Sequence, residues 1–258
     1  MLGAYAGYYL APIVAKIVPL PGIWGAVSVF LASMAICALI GVIIEKLAYR
    51  PLRQRPKLTV LITAIGVSLL LEYSGQKVFK PDPKPFPQLV PNFHLGGDGA
   101  LGLNANQIIL FLVTAILLWA LHAVVWKTRM GTAMRAVSLN PQAAALVGVN
   151  LDAVISFTFA IGSALAAAAG ILYAMLYPSI DPLMGIMPGL KAFVAAVLGG
   201  IGNIPGAALG GVILGVVETL VSGYISSRYR DGIAFAVLIL ILLWKPSGLL
   251  GKKEIEKV

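Results

Sequence analysis

Seven stretches of this chain, residues 2–18, 23–44, 58–71, 108–126, 153–177, 190–223 and 233–244, are apolar almost from end to end. Runs of this kind constrain the fold more than any motif, because a helix of about 20 apolar residues is what crosses a hydrocarbon layer roughly 30 Å thick. Composition agrees: 59% of the 258 residues are hydrophobic and 11% charged, with a mean hydropathy of +0.93, where a soluble domain carries about 25% charged residues. The expected fold is all-α, a polytopic membrane helix bundle forming one transmembrane domain over residues 1–258, with seven spans, or eight if residues 190–223 make two passes. Residues 58–71 and 190–200 number 14 and 11, lengths of about 21 and 17 Å as helix. Pieces that short are not expected to face lipid alone.

The 19 Lys and Arg exceed the 10 Asp and Glu, but they lie in short loops between apolar runs and form no basic face interleaved with aromatics, which argues against nucleic acid. Twelve of the 19 fall in residues 45–57, 127–135 and 245–257. Short cytoplasmic loops collect positive charge, so these segments are placed inside and the Pro-rich segment 74–104 outside. The opening "MLGAYAGYYLAPIVAK" has no basic region ahead of its apolar stretch and does not resemble a cleavable signal. Cys37, the single cysteine, is read as a small buried hydrophobe.

Alternating the spans under that orientation requires residues 190–223 to begin and end outside. The region reads "GLKAFVAAVLGGIGNIPGAALGGVILGVVE". A short helix runs into Gly199, Gly200, Gly202, Asn203 and Pro205, where regular helix breaks, and a second helix follows. This is a broken or re-entrant Gly-rich pair. Two uses of the glycines fit equally: a discontinuous helix of the kind transporters place along a pathway, or a tight hairpin in which glycine serves contact alone. "GGIGNIPG" lacks the Lys-Ser or Lys-Thr of a phosphate loop.

Between two spans lies "WKTRMGTAMRAVSLNPQAAALVGVN", residues 126–150, too polar to enter lipid and too rich in helix formers to be a linker. Asn140 followed by Pro141 is a helix start, since Asn caps free N–H groups and Pro loses no bond at the first helical position. Gly148 suits the left-handed residue after a helix end, and Asn150 or Asp152 can cap the next span. The loop, residues 127–152, is expected to be two short helices lying across the cytoplasmic surface. It is small enough for a groove on a partner, or it merely connects two spans.

That loop resembles the ATPase-coupling loop of bacterial ABC importer permeases for branched-chain amino acids. Also similar to this family, and to its LivH type, are "EKLAYRPLRQRPK", "LITAIGVSLLLE", the Gly-rich pair and "KPSGLLGKKEIEKV". The resemblance covers nearly all of the chain except the Pro-rich outer loop. It implies a non-catalytic permease subunit in the bacterial inner membrane, working with a second related permease, two cytoplasmic ATPase subunits and an extracytoplasmic binding protein that delivers leucine, isoleucine or valine. ATP would be bound by the partner ATPases, and this chain would need no cofactor. Coupling positions carried over are Arg129, Gly131, Arg135, Asn140, Ala144 and Gly148. Gly131 and Gly148 would shape turns, Ala144 would leave room for close contact, and Arg129 and Arg135 would bond the ATPase. Members of the family usually carry one more N-terminal span, ending in Asn-Phe-Ala-His-Gly just before the equivalent of "MLGAYAG". Met1 is therefore expected to be an internal methionine of a longer polypeptide.

Ionisable groups within spans are functional candidates. Glu72 and Lys191 are read as lying at outer span ends and reaching water, Glu218 as a deeper group that can gate or line the pathway, and His122 as a helix-packing histidine. His94, His122 and Cys37 give no metal constellation. The apolar faces around Phe157, Phe159 and Phe193 suit a branched aliphatic solute. Alternatives are a urea or short-amide permease of the same family and an ion-coupled carrier acting alone. The carrier needs an acidic residue at a span centre, and none is found. A membrane enzyme lacks a nucleophile, metal or acid–base cluster.

Overall fold

The computed structural model describes residues 1–17, 21–53, 55–90, 94–95, 103–245 and 248–251. Val18, most of the second half of the Pro-rich loop, and the tail lysines Lys252, Lys253 and Lys257 lie outside the described residues. The chain divides into two units, Met1–Met184 and Gly185–Val258.

The first unit holds α1 (Leu2–Val14), α2 (Ile23–Ile44), α3 (Lys57–Phe79), α4 (Ala105–Lys127), the short α5 (Arg129–Leu139) and α6 (Pro141–Leu146), and α7 (Leu151–Leu176). The second holds α8 (Ile186–Gly199), α9 (Ile204–Tyr224) and α10 (Arg230–Trp244). Among the described residues, α2, α3, α4, α7 and α9 are long and apolar enough to cross a membrane, and α8 is a shorter apolar helix. Each of the expected apolar runs overlaps one or two of these helices, with α1 ending at Val14, short of the expected bound at residue 18.

The largest difference in a boundary is at α3. Where residues 58–71 were expected to be a short piece, α3 is 23 residues long and little of it is buried. Glu72 does not end the helix: Ser68 Oγ donates to its carboxylate over 3.0 Å, one turn apart on the same face, and the chain runs on to Phe79. Glu72 therefore sits inside α3 rather than at its end.

In the first unit α7 is the central post, with α1 and α2 packed on it. The buried residues of α2 recur every fourth position, Gly25, Val29, Ser33, Cys37 and Gly41, and the same spacing continues to Glu45. A stripe at this period holds one line along a helix. Its small residues let the backbones close up: a Cβ on Gly41 would overlap the side chain of Ser163, and one on Gly3 of α1 would overlap the backbone of Ala167. Lipid gives apolar helices no reason to separate from it, so close van der Waals packing of small residues is the main cohesive force.

The Pro-rich segment is anchored to this unit. Strand β1 (Lys84–Pro85) pairs antiparallel with β4 (Ser179–Ile180), and β2 (His94–Leu95) with β3 (Leu103–Asn104). Phe86 and Leu89 are buried in the same cluster as Tyr5, Val29 and Ile171. Pro81, Pro83, Pro85 and Pro87 limit the freedom of this stretch, and the large side chains of Phe86 and Leu89 fasten it.

The second unit is a helical hairpin braced by α10. Gly200 and Gly202 take left-handed φ values of 106° and 88° in the connection, which L side chains rarely adopt. Asn203 starts α9, its Oδ1 accepting from Gly206 N at 3.2 Å, with Pro205 in the first turn. A Cβ on Gly199 would strike the Gly206 backbone and one on Gly210 the carbonyl of Ala195. Gly206 and Gly210 are thus contact glycines of a tight hairpin. Gly211 and Gly215, on another face of α9, leave ordinary or open space around a Cβ.

The tail closes over the connection. Leu249 N and Leu250 N donate to the carbonyls of Leu198 and Gly199 at 2.8 and 3.1 Å, satisfying groups that a helix end leaves free. Asn203 Nδ2 donates to the Leu250 carbonyl at 2.9 Å, so this one side chain caps α9 and holds the tail.

Candidate functional site

The loop between α4 and α7 is fixed by three side-chain caps. Thr128 Oγ1 accepts from Gly131 N at 3.0 Å, Asn140 Oδ1 from Ala143 N at 3.0 Å, and Asn150 Oδ1 from Ala153 N at 3.1 Å. Each cap is worth about 1 kcal/mol, which matters for α6, whose six residues are too few to be stable as an isolated helix. Gly148 has φ +86°, and the N–H groups of Gly148 and Val149 return to the carbonyls of Ala145 and Ala144, both at 3.0 Å. The helix end expected there is present. Of the two caps considered for α7, Asn150 serves, which leaves Asp152 for another task.

Several expected roles within the loop change. Gly131 lies in the first turn of α5, where a Cβ would collide with the carbonyls of Val124 and Val125; it seats α5 against the end of α4 rather than shaping a turn. Ala144 is buried and faces the chain's own interior. The Arg135 guanidinium lies 4.5 Å from the Trp126 ring centre and donates to Thr132 Oγ1 at 3.3 Å, while Arg129 is exposed. Among the residues the loop presents outward are three large apolar ones: Leu139, Leu146 and Val147 are 87%, 88% and 79% exposed. The sequence reading passed over them because apolar residues are everywhere in this chain.

Two clusters of charge join helices that the sequence does not pair. In the second unit, Lys191 Nζ on α8 is 3.0 Å from the Glu218 carboxylate on α9 and 2.7 Å from Asp231 on α10. Arg230 Nε donates to Glu218 at 2.9 Å. Glu218 is 4% exposed, and a carboxylate so buried requires such partners. Lys191 does not snorkel to water; it ties the three helices together. Asp231 lies in the polar turn ahead of the apolar part of α10, and the hydrogen bond and charge of Lys191 hold its carboxyl below the ordinary carboxylate range.

In the first unit, α2 ends in a π-helical turn, Glu45–Tyr49. Glu45 is fully buried, accepting from Ser156 Oγ on α7 at 2.7 Å and from Arg53. Arg53 also pairs with Asp152, as does Arg50. The Tyr49 and Phe159 rings lie 5.0 Å apart, so Phe159, expected on an apolar face for the solute, packs on the end of α2; Phe193 is exposed. His122 is exposed in this chain too, with its ring 6.0 Å from Trp126.

A bundle of apolar helices carrying a folded, capped loop of two short helices defines the class, a multi-pass membrane permease. The chain belongs to the family described as branched-chain amino acid transport system / permease component, which matches residues 1–242. It is 38% identical to the high-affinity branched-chain amino acid transport system permease protein BraD of Pseudomonas aeruginosa, over 100% of this chain and 85% of that one. It is 42% identical to the high-affinity branched-chain amino acid transport system permease protein LivH of Salmonella typhimurium, over 89% and 75%. The autoinducer 2 import system permease protein LsrC of Escherichia coli is 29% identical over 73% and 55%. No solved structure matches the chain.

Proposed function

We propose that this chain is the membrane-spanning subunit of an ATP-driven ABC importer that carries branched-chain amino acids across the bacterial inner membrane. It performs no chemistry: ATP is bound and hydrolysed by two cytoplasmic ATPase subunits, a second related permease completes the pathway, and an extracytoplasmic protein delivers the solute. The names of the relatives at 38–42% identity support this solute class over that of the relative at 29%.

The observation that carries the coupling role is the outward face of the loop. Leu139, Leu146 and Val147 are almost fully exposed on helices held by caps at Thr128, Asn140 and Asn150. Burying a side chain of this size in a partner contributes about 2 kcal/mol, and the caps mean little ordering is needed on docking. Arg129, exposed at the start of α5, adds a charge-assisted bond to the ATPase. Arg135, Gly131, Asn140, Ala144 and Gly148 act one step back, by fixing the loop's shape. Gly199, Gly200, Gly202, Asn203 and Pro205 fix the hairpin of the second unit, and Glu218 holds its far end closed. Leu146→Cys in the assembled complex is expected to crosslink to the ATPase subunit. Labelling of that cysteine by a membrane-impermeant reagent added outside intact cells would place the loop on the wrong side and end this reading.

A further inference from the structure

One face of α7 grips the end of α2 over three turns. Asp152, Ser156, Phe159 and Ser163 recur at three- or four-residue spacing, which is one line along a helix. They meet, in order, Arg50 and Arg53, Glu45, Tyr49 and Gly41. We propose that Arg50, Arg53 and Asp152 form a clasp through which movement of the loop preceding α7 reaches α2, making the α2–α3 connection a second transmission arm. This rests on the coupling role proposed above for that loop.

The two halves of the cluster differ in character. Glu45 is fully buried and Arg53 is largely covered. A buried carboxylate without its cation is strongly destabilised, so Glu45 and Arg53 stay together whatever the helices do. Asp152 and Arg50 are about half exposed, at 46% and 50%, in the range where an ion pair in water is weak and readily broken. The result is a permanent joint between Arg53 and α2, and a releasable one between both arginines and α7. Asp152 stands two residues beyond Asn150, the cap that ends the loop, so any rotation of the loop is felt there first. The joint with α2 is a π-helical turn, a looser hydrogen-bond register that recurs at functional sites. Two carboxylates and two guanidiniums balance in charge while the clasp is closed; when the outer pairs part, Arg50 and Asp152 are left charged, and both are exposed enough for water to solvate them.

The test is uptake per ATP hydrolysed, in proteoliposomes holding the complete importer. Asp152→Asn keeps the side chain's size and leaves the Asn150 cap intact. It is expected to leave ATP hydrolysis near the wild-type rate while lowering leucine uptake per ATP about fivefold or more, as loss of coupling between two sites does. Asp152→Glu, which keeps a carboxylate between both arginines, is expected to retain most of the wild-type ratio, whereas a role of side-chain shape alone would favour the isosteric Asn. If hydrolysis and uptake fall together in Asp152→Asn, so that uptake per ATP is unchanged, the clasp is structural only and the inference is wrong. If Asp152→Glu loses the ratio as fully as Asp152→Asn does, the charge pair is not the link, and the inference is again wrong. Absence of ATP-driven uptake by the wild-type complex would instead remove the parent reading, and the clasp with it.

Discussion

Gly210→Ala separates contact glycines from the rest of α9. The substitution removes a helix-interior glycine, which by propensity alone stabilises a helix by about 1 kcal/mol. At Gly210 the added Cβ meets the Ala195 carbonyl and lies 3.0 Å from Gly199 N, and backbone cannot turn aside as a flexible side chain can. The helices must part, loosening the cluster of Val194, Ala195 and Leu214, and overpacking of this kind costs about 1–3 kcal/mol. A clash with backbone lies in the upper part of that range, about 2–3 kcal/mol, so the net is a destabilisation of about 1–2 kcal/mol once propensity is subtracted. Gly215→Ala is the matched control on the same helix, since nothing lies within 4 Å of its Cβ. Thermal unfolding of the purified complex in detergent, followed by tryptophan fluorescence, is expected to show Tm lowered by about 2–6 °C for Gly210→Ala and unchanged or raised for Gly215→Ala. Equal or higher Tm for Gly210→Ala would refute the packing argument, because then the hairpin has room the geometry denies.

Leu146→Asp places a charge at the centre of the loop's apolar face without touching the caps, and is expected to abolish solute-stimulated ATP hydrolysis while membrane levels of the protein are unchanged on immunoblots. Arg135→Glu should abolish it as well, with the added loss of the stacking on Trp126, seen as a change in tryptophan emission. Asn203→Ala removes both the α9 cap and the bond to the Leu250 carbonyl; a stability loss of about 1–2 kcal/mol and faster proteolysis of the C-terminal tail are expected. Gly148→Val forces a β-branched residue to φ +86°, a strain of about 1–3 kcal/mol, and should reduce coupling more than insertion.

Features set by neighbouring residues were legible in the sequence. The positions of the apolar helices follow from the apolar runs, and Asn140, Pro141 and Gly148 announce the helix boundaries they form. Glu72 misled because a charge in an apolar run resembles its end, whereas Ser68 four residues earlier offers it a hydrogen bond and the helix continues. The charge clusters were not legible, since Lys191 and Glu218 are 27 residues apart and Arg53 and Asp152 are 99 apart. A buried glutamate followed by three arginines in "EKLAYRPLRQR" was the available signal for one of them. Nor does spacing reveal which glycines of α9 face α8, because Gly210 and Gly211 are adjacent and only packing distinguishes them.

Transport itself decides the matter. The chain assembled with its second permease, ATPases and binding protein in proteoliposomes should accumulate radiolabelled leucine against its gradient when ATP is supplied on the loop side. The chain alone, given a sodium or proton gradient, should not. Uphill uptake by the isolated chain, or none by the ATP-supplied complex, would contradict the account.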